Sequence, residues 1–195
     1  MKIGRITLID PAAPKAKHDP LGAEVESNIA SVFSEPSKFV SILVPNEAKQ
    51  LRAAIIRLCD EEKCPLVLTL GGTGPGPNDI VPDITLEVVD RKLPGFGEIM
   101  RYYSYERFKV SVLSRAEAGV RGKSLVINLP GKPKPVKFCL RLLQEGIAEA
   151  LEQIAGITPG LKGDEIEVPI DKYLPFLKKL RPKIDPNAGP GHPTL

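Results

Sequence analysis

Residues 65–83 read PLVLTLGGTGPGPNDIVPD, and this stretch decides the fold. Pro65–Leu70 is a short continuous apolar run, the pattern of a strand buried on both faces in a parallel sheet. It breaks directly into Gly71-Gly72-Thr73-Gly74. Glycines at a strand's carboxyl end let the backbone approach an anion closely, and consecutive N–H groups form a nest for phosphate. On glycine content alone, an ordinary tight turn explains the run equally well. No Lys-Ser or Lys-Thr pair follows, so this is not a Walker A loop, and the glycines miss the G-x-G-x-x-G register of dinucleotide sites. Asp79 comes just before Pro82 and a helical stretch. That position suits a helix-capping acid, or a ligand for Mg2+ held through phosphate oxygens and water.

Outward from this core, β-branched and apolar runs predict strands over 3–9, 39–44, 110–113 and 124–129. Apolar residues at helical spacing predict helices over 21–33 and 47–59, the latter with Asn46 as its N-cap. Further helices are expected over 82–91, over 99–105 after Pro94-Gly95-Phe96-Gly97-Glu98, and from Pro133 or Pro135 to Ile154. Strands alternating with helices at this spacing imply right-handed crossovers. The expected fold is α/β: a three-layer αβα sandwich with a mainly parallel sheet. It spans residues 1–155, with 156–195 a partly helical C-terminal extension that ends in a Pro/Gly-rich tail.

Composition narrows the function. The net charge of +3 is too small to argue for nucleic acid. No apolar run reaches the roughly 18 residues of a membrane helix, and the N-terminus lacks the parts of a secretory signal. A cytoplasmic protein is expected. Cys59, Cys64 and Cys139 lack the second pair that a zinc site needs, and read as reduced, partly buried thiols.

In open parallel sheets, ligands bind beyond the carboxyl ends of the strands. Every expected strand ends there in polar, glycine-rich or charged residues: Asp10, Pro45-Asn46-Glu47, Gly71–Gly74, Ser114-Arg115, and Asn128 to Pro133. In SLVINLPGKPKP (124–135) a strand ends in Pro-Gly, with Lys132 and Lys134 beside a helix start. A helix N-terminus attracts anions and lysines add charge, although solvated lysines in a plain strand-turn-helix give the same pattern.

At these two stretches the sequence resembles the molybdopterin adenylyltransferases, the Mog family, within the wider MoaB-like fold. The pieces that carry it are LVLTLGGTGPGPNDIVPDIT (66–85), LPGFGEIMR (93–101), VLSRAEAGVRGKSLVINLPGKPK (112–134) and, more weakly, IGRITLID (3–10) with HDPLG (18–22). The resemblance implies transfer of AMP from ATP to the phosphate of molybdopterin, with release of pyrophosphate and a need for Mg2+. It implies a homotrimer, and a molybdenum-insertion protein as downstream partner. Carried over by position, Gly71, Gly72, Thr73 and Gly74 hold phosphate, and Asp79 binds or orients the metal. Ser114, Gly131, Lys132 and Pro133 line the pterin side. Arg115, Arg121 and Lys123 are further expected anion contacts.

Two stretches depart from the family pattern. Where the family has Pro-Asp-Glu, this chain has Pro45-Asn46-Glu47. Asparagine keeps an oxygen and loses the charge. Where the family has Ser-Asp-Arg-Ala-Ser, this chain has Ile9-Asp10-Pro11-Ala12-Ala13. Asn46 thus stands at an expected catalytic position, and its neutrality leaves a second reading: a molybdopterin-binding or hand-over protein without catalysis.

Overall fold

The computed structural model describes residues 1–9 and 19–162. Asp10 and the extension from 163 onward lie outside the described residues. Among these residues, six strands form one sheet in the order β2-β1-β3-β6-β5-β4. β1 (Lys2–Leu8), β2 (Lys38–Val44), β3 (Leu66–Leu70) and β6 (Ser124–Leu129) run parallel. β5 (Ala118–Arg121) and β4 (Arg91–Lys92) finish one side antiparallel. β3 and β6 are buried along their whole length, which is why both read as unbroken apolar runs.

Helices cover both faces. α1 (Pro20–Val32), α4 (Pro94–Arg107) and α5 (Pro133–Ala155) share one core with Ile3, Leu68 and Ile127. α2 (Ala48–Ile56) and α3 (Val81–Val88) pack on the other side against Ile6, Val67 and Val126. The αβα sandwich read from the sequence is the fold observed. α5 buries Val136, Leu140, Leu143, Ile147 and Leu151 at helical spacing and stops at Gly156, whose φ of 67° is left-handed. At α1, Asp19 caps the helix by accepting from Gly22 N (2.7 Å), and the buried Arg5 of β1 binds both Asp19 and Glu26.

Several local expectations need correction. Val110–Leu113 is not a strand; Lys109–Leu113 is a 3-10 turn outside the sheet. Val110 is 74% and Val112 64% exposed, and β-branched residues favour a strand only where a pleated, half-buried surface receives them. Arg91, expected at the end of a helix, belongs to β4; α3 stops at Val88. Asn46 is not an N-cap. α2 starts at Ala48 behind Glu47, which makes no side-chain cap, and the Asn46 amide reaches another loop instead. α2 leaves through a π-helical turn, Arg57–Glu61.

One buried polar group locks α3 to the sheet near the strand ends. Asn128 of β6 donates to Thr69 Oγ1 of β3 (3.0 Å) and to Thr85 Oγ1 of α3 (2.8 Å), and its Oδ1 accepts from Glu117 N (3.2 Å). A fully satisfied buried network of this kind specifies one arrangement, because any slip leaves polar atoms unpaired.

Candidate active site

The loops after β3 and β6 meet because their strands are neighbours. Gly71 N donates to Leu129 O at 3.1 Å. A Cβ on Gly131 would stand 3.2 Å from the Gly71 Cα, so a side chain at Gly131 would crowd the facing loop. Gly71 and Gly72 have φ of 89° and 62°, the left-handed region that glycine enters without strain. At Gly72 a Cβ would also come within 2.8 Å of Leu8 and Val81 side-chain carbons.

From Gly74 onward the chain wraps the Asp79 carboxylate. Asp79 Oδ2 accepts from Gly76 N at 3.0 Å. A Cβ on Gly74 or Gly76 would approach that oxygen to 2.7 or 2.9 Å. Asp79 does not cap α3, whose N-cap is Ile80; Pro82 in the first turn has no N–H to satisfy. Asn46 comes to the same loop from β2, donating from Nδ2 to Asn78 O. Its Oδ1 is buried without a partner.

Arg115 holds this loop from outside. Its Nε donates to Gly74 O (2.9 Å), its Nη2 donates to Asp79 O, and both Nη atoms reach the Asp83 carboxylate at 2.9 Å. Its backbone N–H donates to Thr73 O at 2.7 Å. The hydrogen bond from Arg115 holds the Asp83 carboxyl below its ordinary range. Arg115 is an expected anion contact, yet four of its five guanidinium N–H groups are engaged within the protein.

Beside Gly74 lies a cavity of about 330 Å³. Thr73, Gly74, Ser114, Gly131 and Lys132 line one part, and Met100, Phe108, Val110 and Leu113 give it an apolar part. Pro133 opens α5 directly after Lys132. Residues 73–74 and 130–132 thus meet around this cavity, while Gly71, Gly72, Pro133 and Asp79, whose carboxylate is held by Gly76 N, are not among its lining residues.

The apolar lining has no signal in the sequence. Met100 and Phe108 sit on or after α4, and only the tertiary fold brings them under the glycine loop. Cys139 also lines the cavity, but its thiol is pushed up to about 11 by burial, which keeps it protonated and inert. All three cysteines are free and buried.

Arg121 and Lys123 are not at this site. They flank the β5–β6 turn, at the opposite end of β6, where Arg121 pairs with Asp60 (2.6 Å) and donates to Val88 O (2.8 Å). Among the described residues, no group of three or more His, Cys, Asp or Glu side chains is placed to hold a metal, and no helix is long and apolar enough to cross a membrane.

Fold and site define a class: α/β sandwiches in which two glycine-bearing loops meet at the carboxyl edge of a mostly parallel sheet, with a half-buried carboxylate held in the first of them. The family described as "Probable molybdopterin binding domain" matches residues 36–151, and the chain belongs to it. It is 38% identical over 154 residues to the molybdopterin adenylyltransferase of Helicobacter pylori, covering 79% of this chain and 88% of that protein. With the Escherichia coli K12 protein of the same name it shares 37% over 150 residues, 77% of this chain and 75% of the other. The solved molybdopterin biosynthesis enzyme MoaB of Thermus thermophilus superposes with a TM-score of 0.71 at 32% identity, over 80% of this chain and 97% of that one. The Mog protein of Mycobacterium ulcerans gives 0.70 at 29% identity, over 80% and 100%.

Proposed function

We propose that this chain is a molybdopterin adenylyltransferase. An oxygen of the molybdopterin terminal phosphate attacks the α-phosphorus of ATP, the bond to the bridging oxygen breaks, and pyrophosphate leaves. The observation that carries the reading is the meeting of Gly71–Gly74 with Pro130–Pro133 beside the Asp79 carboxylate, in a chain whose relatives bear that activity's name. Those names also weigh against the non-catalytic hand-over reading. Such a transfer depends on positioning and charge neutralisation rather than on a covalent nucleophile. Incubating the purified protein with molybdopterin, ATP and Mg2+ and measuring pyrophosphate tests it; no release above the protein-free control rejects it.

The roles divide by what each group has free. The Gly71 amide is already bonded to Leu129 O, so Gly71 contributes its backbone conformation. The amides of Gly72, Thr73 and Gly74, with the Thr73 hydroxyl, face the phosphates. Lys132, and Ser114 through its hydroxyl, bind the anionic and polar parts of the pterin substrate. The apolar wall of Met100 and Phe108 receives a flat ring.

Mg2+ fits the donors present. Asp79 offers a carboxylate, and the unpartnered Asn46 Oδ1 offers a second, neutral oxygen. Mg2+ is commonly held by one or two protein oxygens together with phosphate and water. Bound there, it would neutralise phosphate charge. The family resemblance alone implies a homotrimer and a molybdenum-insertion protein downstream, and composition supports a cytoplasmic setting; light scattering tests the first.

Two results are expected. Asn46→Asp supplies the missing charge and raises pyrophosphate release about tenfold at limiting Mg2+, a change of about 1.4 kcal/mol. Without metal the new carboxylate faces Asn78 O with no proton to donate, so the variant melts earlier than wild type until Mg2+ is added. Turnover and metal requirement both unchanged would defeat this reading of Asn46. Lys132→Ala raises the apparent KM about fivefold at low salt, from the loss of roughly 1 kcal/mol of an exposed charge interaction. The difference fades towards 1 M salt, where screening acts over about 3 Å. A KM difference independent of ionic strength would show that Lys132 acts by something other than charge.

A further inference from the structure

A second cavity, of about 490 Å³, lies at the opposite edge of the sheet. Arg121, Lys123 and Ser124 line it from the β5–β6 turn, and Asp60 and Lys63 line it from the segment leaving α2. Pro65, Ala155 and Ile157 give it an apolar wall. Ser124 begins β6 and Leu129 ends it, so the strand carries the chain about 17 Å from this cavity to the first one.

The backbone of its wall is irregular twice within seven residues. Arg57–Glu61 form a π-helical turn, a rare element concentrated at functional places. Lys63, at φ 54°, is the sole non-glycine residue with positive φ among the described residues. A lysine in the left-handed region is strained where glycine would not be, and such residues gather at ligand sites. Glycine would therefore serve the turn better, and the lysine adds a charge at the cavity.

The charges select the ligand. Arg121 is balanced by Asp60, with Nε and Nη2 on its carboxylate at 2.6–3.2 Å. Lys63 and Lys123 are exposed and make no ion pair within 4.0 Å among the described residues. Three cations stand against Asp60 on the lining and Asp90 beside it, whose carboxylate accepts from Gly122 N at 2.7 Å; one net positive charge remains, with both lysines unpaired, and it suits a phosphate monoester. The carbonyl end of α5 comes to this edge too, with Gly156 N bonded to the Leu151 and Glu152 carbonyls, so the lysines act against the negative end of that helix.

The geometry points to a second ligand site here, formed by Lys63, Lys123 and Arg121, that takes a small phosphate monoester with an apolar or flat body. It stands independently of the adenylyl transfer proposed above, since it shares no residue with Gly71–Gly74, Asp79 or Lys132. The lysines hold the phosphate, and Ile157 and Pro65 cover the body.

The test is amide NMR of the full chain at low salt, titrated with AMP, inorganic phosphate and adenosine in turn. AMP is expected to shift the amides of Lys63, Gly122, Lys123 and Ser124, with phosphate shifting the same set at weaker affinity. Lys63→Gly with Lys123→Gln is expected to weaken AMP at these amides at least tenfold, with the melting temperature unchanged or raised by the glycine. Shifts confined to residues 71–74 and 131–132 overturn the proposal. So does AMP affinity at the second cavity that survives the double substitution, adenosine binding there as tightly as AMP, or no shift at all with millimolar AMP.

Discussion

Asp79→Asn lowers pyrophosphate release at least about a hundredfold while the protein stays folded. Asparagine has the same shape and keeps an oxygen for the Gly76 N–H, now at 3.0 Å from the carboxylate. The loop therefore keeps its closure, and the melting temperature should move by no more than about 2 °C, the shift for roughly 0.5 kcal/mol in a domain of this size. What disappears is the charge. Preorganised groups aimed at charge in a transition state are worth about 2.7–4 kcal/mol each, a factor of about 10²–10³. The fall should appear in kcat and in the Mg2+ concentration needed, with nucleotide KM changed less. Asp79→Glu makes the complementary control: the extra carbon enters a loop so close that a Cβ placed on Gly74 or Gly76 would come within 2.7 or 2.9 Å of the carboxylate, so charge is kept and geometry is lost. Asp79→Asn retaining more than a tenth of wild-type activity would remove this carboxylate from the chemistry.

The sequence made the sheet legible wherever burial was complete. Ser124–Leu129 reads with its observed bounds, and β1 and β3 within one residue, because continuous apolar runs leave a buried parallel strand few alternatives; β2, mostly half-buried or exposed, reads as closely from its run of apolar and β-branched residues. The antiparallel side was not legible. β5 is Ala-Gly-Val-Arg and β4 only Arg-Lys; neither has a pattern of its own, and both exist because the turn at Gly122 (φ 55°) folds the chain back onto β6. Val110-Ser111-Val112 failed the other way, with strand-like alternation and no strand beside it. At the site, both glycine loops were visible as motifs, and their meeting at Gly71 and Gly131 follows from strand order. Arg121 and Lys123 misled because they stand close in sequence to the Lys132 turn, while a whole strand separates them in space. The grip of Arg115 on residues 74–83 was not readable either, since it spans 32 to 41 positions and depends on the 3-10 turn before it.

Arg115→Ala is the second large effect, and it separates positioning from stability. The ion pair with Asp83 contributes little by itself, about 0–1 kcal/mol, because the two side chains are 40% and 56% exposed. The bonds to the Gly74 and Asp79 carbonyls add about 1 kcal/mol each, giving an expected loss of about 2 kcal/mol in chemical denaturation. Activity should fall further, about a hundredfold, because these two carbonyls belong to the residues on either side of the carboxylate loop, and a displacement of about 1 Å at a reacting group costs that much. Arg115→Lys should recover little of either, since one ammonium cannot fork between Asp83 and two carbonyls. The pH dependence has a fixed sign. Asp83 is held below its ordinary value by Arg115, so the pair's contribution is present above about pH 4 and is lost as pH falls through the lowered value. The stability gap between wild type and Arg115→Ala should therefore narrow in acid, and what remains of it at low pH measures the carbonyl bonds alone. If Arg115→Ala loses stability but keeps its kcat, the arginine is a brace for the fold and has no part in placing Asp79.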